Sequence, residues 1–183
     1  MATAKTGSFY LTETVTIPGG SDANTRVSSA IDLGAYVNVA TGQAVAVESV
    51  DFIVQSGADY IQYLPNFLTG DGTLSYQLAD LNTASKFFRA DNQSLIASGA
   101  MNIDYTHNSA TITADLYPDN FGPAALSEAF MVVNDSLYLT AGNNGSKIGV
   151  SDLYITARIK CRIVKLSSKD WMAIAIQSTA SDN

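Results

Sequence analysis

The sequence predicts an all-β fold, a single jelly roll or two-sheet antiparallel β-sandwich. Three observations carry that prediction. The dominant hydrophobic period is two rather than 3.6, as half-buried strands require. Roughly eight to ten such runs fall at near-even spacing in 183 residues, divided by Gly, Pro, Asn and Asp. The long helical patterns that a parallel α/β fold places between its strands are missing. An up-and-down barrel is the other arrangement these strands allow.

Taken in order, Phe9, Leu11, Val15 and Ile17 alternate with Tyr10, Thr12, Thr14 and Thr16, and Pro18-Gly19-Gly20 ends this first strand. The loop over 21–25 leads to a second strand over 27–33. A long strand over 44–55 carries a defect: Val45 and Val47 share one face, whereas Val50, Phe52 and Val54 hold the opposite parity. One inserted residue, a β-bulge, produces such a phase slip. A strand over 60–64 stops at Pro65, and another over 73–78 follows Gly70-Asp71-Gly72. Strands over 95–104 and 110–117 are joined by a polar stretch. The runs 130–133 and 137–140 flank Asn134-Asp135-Ser136 and read as a hairpin, with 142–146 as the next loop. In the last long strand Leu153, Ile155, Ala157, Ile159, Cys161 and Ile163 point inward, and Tyr154, Thr156, Arg158, Lys160 and Arg162 outward.

Helical signals are few. Residues 82–88 form a short helical turn or a loop. Ser168 is placed to cap a C-terminal helix with Asp170 in its first turn, packed through Trp171, Met172, Ala175 and Ile176. The same stretch alternates acceptably as a strand, so helix and strand both stand for 168–177. No internal repeat or low-complexity linker divides the chain. We read residues 1–183 as one domain, with 1–7 as a flexible N-terminal arm.

Composition excludes several function classes. Charged residues make 15% of the chain, AVILMFWYC 46%, and the mean hydropathy is +0.09, which excludes intrinsic disorder. A chain of this length buries about 70% of its unfolded surface, so no disulfide or metal is needed to hold it. The single Cys161 excludes an internal disulfide framework and any CxxC motif, and the single His107 excludes a multi-histidine metal site. No GxSxG, P-loop, GxGxxG or HExxH occurs. Cys161 lies on the apolar parity of its strand, where a free cysteine acts as a small hydrophobe, and His107 lies in a polar turn. We therefore expect no enzyme, no cofactor and no small-molecule substrate. A cation shared between loops through Asp115, Asp119 and Asn120 is the one metal reading left, since EF-hand spacing is absent. The N-terminus has no apolar core of a signal peptide and no run reaches 18 apolar residues, so synthesis in a cytoplasm, with delivery by assembly rather than secretion, is expected.

The charge of −7 is unevenly spread. Residues 1–146 hold four basic against fourteen acidic side chains, and 147–183 hold six basic against three acidic. Within that basic tail Arg158, Lys160 and Arg162 share one face of the last strand, a stripe on the order of 13 Å long. It contacts an acidic copy of the chain, a nucleic acid or an acidic lipid surface, or else it is a solvated face with cross-strand ion pairs. Tyr60, Tyr63 and Phe67 around Pro65 make either an aromatic sugar platform or a cap on one end of the sandwich.

A wider pattern joins these elements. The stretch 130–139 precedes a Gly/Asn loop, then the long alternating strand ending Ile163-Val164-Lys165-Leu166-Ser167, then Trp171-Met172-Ala173-Ile174-Ala175-Ile176-Gln177. Near the start stand Ile31-Asp32-Leu33-Gly34-Ala35-Tyr36-Val37 and the run from Gln43 to Phe52. Together they resemble the small single jelly-roll capsid proteins of tailless icosahedral viruses of bacteria or archaea. The resemblance implies a coat subunit in a virion capsid that assembles with copies of itself and with a second coat protein. It also implies a shell lying above an internal membrane or the genome, toward which the basic strand is then directed, and it supplies no catalytic residues. A carbohydrate-binding sandwich or a phage fibre domain is the alternative, with Tyr60 and Tyr63 as its contact residues.

Overall fold

The computed structural model describes residues 2–60, 63–114 and 129–180. Its elements are β1 (Thr3–Ala4), β2 (Phe9–Ile17), β3 (Arg26–Asp32), β4 (Gln43–Ser56), β5 (Gly72–Ala79), β6 (Leu95–Asp104), β7 (Ser109–Ala114), β8 (Phe130–Val132), β9 (Ser136–Asn144), β10 (Leu153–Lys165) and α1 (Ser168–Ala180). One sheet runs β2-β10-β4-β8, with β1 continuing the β2 lane along the end of β10. The other runs β3-β9-β5-β6-β7, and every pairing is antiparallel. The chain crosses between sheets after β2, β3, β4, β7, β8 and β9. This order is a jelly roll.

The core lies between the sheets. Ile17, Val45, Leu74, Tyr76, Leu78, Leu137, Leu139, Ile155 and Ile159 are all buried there. Each large side chain so buried contributes about 1.5–3 kcal/mol. Tyr76 packs against Phe52 of the facing sheet, the rings tilted by 43° with centroids 4.9 Å apart. Its ring lies across the backbone of Gly99, its register partner on β6, where a Cβ would meet the ring edge. Gly99 thus makes room for the largest fully buried side chain.

The phase slip in the third strand is a bulge at Glu48. Ser49 stands opposite Lys160 and Val47 opposite Cys161, which leaves Glu48 as the extra residue. Val45, Val47 and Val50 are all fully buried as a result.

Several sequence expectations need correction. The runs around 134–136 are not a hairpin: β8 pairs with β4 in one sheet, and β9 pairs with β3 and β5 in the other. The turn is a corner between sheets, held by the Leu33 N–H donating to the Asp135 carbonyl at 2.7 Å. Gly142, Asn143 and Asn144 extend β9 rather than forming a loop, because Gly142 pairs with both Arg26 and Ser75. The 60–64 run is not a strand where it is described: Leu64–Asn66 is a 3-10 turn, with Pro65 in its first turn, and residues 61–62 lie outside the described residues. Residues 82–88 are a loop. The strand expected over 110–117 is seen as β7, and its last three positions are outside the described residues.

The C-terminal segment is a helix, and its start falls one residue earlier than expected. The Ser167 hydroxyl, not Ser168, accepts the Asp170 N–H at 3.2 Å and donates to the Asp170 carboxylate at 2.8 Å, a reciprocal cap. Its buried side also differs. Ile174 and Ser178 are buried and Trp171 and Ala175 partly so, whereas Met172 and Ile176 are 61% and 63% exposed. The helix rests on the outer face of the first sheet, against Ala44, Ala46, Met131 and Val164. At the other terminus, β1 pairs with Val164 and Lys165, the Lys5 N–H donates to the Ile163 carbonyl, and the Ile163 N–H donates to the Thr6 hydroxyl. Residues 3–6 are thereby tied to the sheet.

Candidate functional site

The outer face of the first sheet carries the predicted stripe. Alternation along β10 sets Arg158, Lys160 and Arg162 on that face, and the bulge on β4 aims Glu48 at them. One Glu48 oxygen stands 3.4 Å from Lys160 Nζ and the other 3.4 Å from Arg162 Nε. The Ser8 hydroxyl donates to Glu48 as well, at 2.9 Å. Glu48 is only 17% exposed, so this triad is shielded more than a surface ion pair. Arg158 is exposed; it stands opposite Asp51 in register and lies 5.8 Å over the Tyr10 ring. Two carboxylates therefore share a face with three cations. Sequence reading missed Glu48 as a member of this group, although the parity slip between Val47 and Val50 already marked a bulge beside it.

Behind Glu48 lies Cys161, fully buried. Burial, and secondarily the Glu48 charge, push its thiol up to about 12, so no thiolate forms near neutral pH. His107 is on the 105–108 turn at the far end of the second sheet, exposed, its Nδ1 2.7 Å from Asp104 Oδ2. The fold does not bring cysteine and histidine together.

That end of the sandwich collects the described connections 18–25, 57–60, 63–71, 105–108 and 145–152. They are bonded to one another. Asn143 Nδ2 donates to the carbonyls of Asp22 and Ser146, and the Arg26 guanidinium donates to the Asn143 carbonyl. The Ser146 hydroxyl donates to the Asp71 carbonyl and the Tyr105 N–H to the Asp71 carboxylate, each at 2.7 Å. Lys147 Nζ lies 2.6 Å from Asp22 Oδ1, a contact that lowers the Asp22 pKa and raises that of Lys147. Gly149 passes so close to the carbonyls of Pro65 and Asn66 that no side chain fits there. From this rigid block Tyr60, Tyr63 and Val150 project, 67%, 71% and 89% exposed. Phe67 does not join them. It is 3% exposed and belongs to the core, because the turn at Leu64–Asn66 folds it inward, so the aromatic surface reduces to the two tyrosines.

At the opposite end a cleft of about 310 Å³ is lined by Asp80, Asn82, Asn134, Asp135 and Tyr138 among others. Asp80 is buried, and burial raises its pKa to about 6 against the pull of the Ser94 and Ser178 hydroxyls. Asp135 and Tyr138 share the cleft with Asp80, while His107 and Cys161 lie elsewhere. No group of three or more His, Cys, Asp and Glu suited to a metal occurs among the described residues, and Asp115, Asp119 and Asn120 lie outside them.

The class these features define is a jelly-roll β-sandwich with one bonded loop end and a helix laid on its outer sheet. No protein-family model and no curated protein matches the chain. Among solved structures it is similar to Merkel cell polyomavirus VP1 in complex with GD1a oligosaccharide, at 9% identity and a TM-score of 0.46, over 90% of this chain and 99% of that one. Desmodium yellow mottle tymovirus gives 7% identity and 0.36, over 89% and 91%. Turnip yellow mosaic virus gives 11% and 0.33, over 88% and 95%. At such distances no residue role is carried from them to this chain, and the strand order above rests on its own pairings.

Proposed function

We propose that the chain is a structural virion protein, a capsid subunit that assembles with copies of itself into a closed shell. The observation that carries this reading is the placing of exposed apolar side chains on a rigid jelly roll. Tyr60, Tyr63 and Val150 stand at the loop end, Ile112 on β7, and Met172 and Ile176 on the outer side of α1. Exposed apolar side chains on different sides of one molecule suit a subunit with several neighbours better than a receptor for one ligand. The low charged fraction and the resemblance to single jelly-roll coat proteins agree with it. A second coat protein, and a virus of bacteria or archaea as the source, are the finer parts of the same proposal. Contact of Arg158, Lys160 and Arg162 with a membrane or a genome is a weaker part, because Glu48 already engages two of the three.

The test is solution mass and electron microscopy of the purified chain between about 50 and 500 mM salt, where screening lengths run from ~14 to ~4 Å. Closed shells or symmetric capsomers are the expected result. A strict monomer throughout, also after addition of a co-expressed coat partner, overturns the reading. The two exposed tyrosines favour a second reading, a glycan-binding module. It predicts binding on a glycan array that is lost in Tyr60→Ala or Tyr63→Ala.

A further inference from the structure

The two sheets differ in width. Among the described residues the first is four lanes wide, with β1 and β2 sharing one lane, and the second is five strands wide, so β7 is an overhang. Among the described residues β7 pairs with β6 alone, and its other edge presents unpaired backbone N–H and C=O groups. Ile112 shares a face with its partner Met101, the face that forms the core further in. Met101 is 7% exposed and Ile112 is 61% exposed, because the opposing sheet stops short of β7. The described side chains of β7, from Ser109 to Thr113, are all exposed.

Natural proteins guard such an edge with Lys, Pro, a bulge or an inward charge. This one has none: Ser109-Ala110-Thr111-Ile112-Thr113-Ala114 is uncharged in a chain of net charge −7. It is thus a stretch where two acidic copies can approach without like charges facing each other. The segment Ala110-Thr111-Ile112-Thr113-Ala114 also reads the same in both directions. An antiparallel pairing of two copies centred on Ile112 sets Ile112 against itself, Thr111 against Thr113 and Ala110 against Ala114. Such pairing is the isologous contact that a two-fold axis requires. It forms about four to six interstrand hydrogen bonds whichever residues point outward, because partners in this register keep the same parity.

We propose that β7 is a self-association edge, at which a second copy of the chain adds its own β7 about a two-fold axis through Ile112 and joins the two five-stranded sheets into one. The proposal rests on the reading of the chain as an assembling subunit and names one of its contacts. The interface is small, so the isolated dimer is weak, and it gains in a shell from the other contacts made at the same time.

The test is sedimentation equilibrium of the full chain from about 5 to 200 µM, with three variants at an exposed site that leaves the core intact. Ile112→Lys and Ile112→Glu each set like charges against one another across the axis, and each is expected to weaken dimerisation at least tenfold. An equimolar mixture of the two is expected to restore it. In Ile112→Cys, opposed Cα atoms about 4.5–5.5 Å apart fall within disulfide range, and oxidation is expected to yield a covalent dimer. The native Cys161 does not compete, being fully buried. A wild-type chain that is monomeric at 200 µM, a dimer that survives Ile112→Lys, or a mixture that fails to recover overturns the proposal. Closed shells formed undiminished by Ile112→Lys overturn this contact and leave shell building in place, whereas a β7 dimer that never goes on to shells does the reverse.

Discussion

Asp80 makes the fold's stability depend on pH in a direction opposite to most carboxylates. It directly follows β5 with 3% exposure, its N–H donates to the Ser94 carbonyl at 3.0 Å, and its Oδ2 accepts from the Ser178 hydroxyl of α1 at 3.1 Å. Burial raises its pKa from 3.8 to about 6, with Ser94, Ser178 and the backbone only partly offsetting it. A group with a raised folded pKa adds stability below its unfolded pKa and loses it as pH climbs through the folded one. The window is therefore pH 4 to 7. At 1.36 kcal/mol per pKa step, holding Asp80 ionised at pH 7 costs about 3 kcal/mol. Asp22, Asp104 and Asp170 have the opposite sign, but their pKa values are lowered and they act below that window. Urea unfolding of the wild type and of Asp80→Asn at pH 4, 5, 6, 7 and 8 isolates the term. The variant is expected to exceed the wild type by about 3 kcal/mol at pH 7 and above, with the difference shrinking toward zero near pH 4. A difference that stays constant with pH refutes the reasoning, since a lost hydrogen bond alone carries no such slope.

Gly99→Ala drives a methyl into the Tyr76 ring edge and, as overpacking of a filled core, is expected to cost about 1–3 kcal/mol by urea unfolding. Ser167→Ala removes the cap of α1 and is expected to cost about 1 kcal/mol, read as lost helical signal in circular dichroism at lower urea than the sheet transition. Glu48→Gln leaves Lys160 and Arg162 without their shared carboxylate. It is expected to lower the stability of the fold by about 1–2 kcal/mol by urea unfolding, whereas Arg158→Ala leaves stability within about 0.5 kcal/mol.

Strand parity was legible because burial on one side of a sheet forces a period of two on the residues themselves. Burial alternates throughout Phe9–Ile17 and Leu153–Cys161, with Glu13 the one charged residue on the inward parity, and the slip after Val47 located the bulge to within a residue. Sheet membership was less legible. Phe130–Val132 and Ser136–Asn144 look like the arms of a hairpin, because a tight turn joining two strands reads the same whether they stay in one sheet or change to the other. The helix was misjudged in phase. Met172 and Ile176 are as apolar as Ile174, and only the shallow surface formed by Ala44, Ala46 and Met131 decides which of them it covers. The cationic stripe was legible and its neutralising partner was not, for Glu48 reaches Lys160 and Arg162 only through the backbone displacement of the bulge. Phe67 was drawn out of the aromatic group by a turn that the sequence marked only as Pro65.

The same features bear on what kind of contact this molecule can make. Its most charged strand is compensated by a partly buried carboxylate, and its loop end holds its polar groups in bonds among its own loops. Among the described residues it also presents apolar side chains and an open strand edge: the tyrosines beside Val150, Met172 and Ile176 on α1, and β7. Contacts built from such surfaces gain little from Coulomb attraction and are screened little by salt. Raising salt from about 50 to 500 mM should then leave self-association within about threefold, whereas an assembly joined through the basic strand would weaken with each increment. The salt series proposed for the shells thus measures which of the two surfaces holds the subunits together.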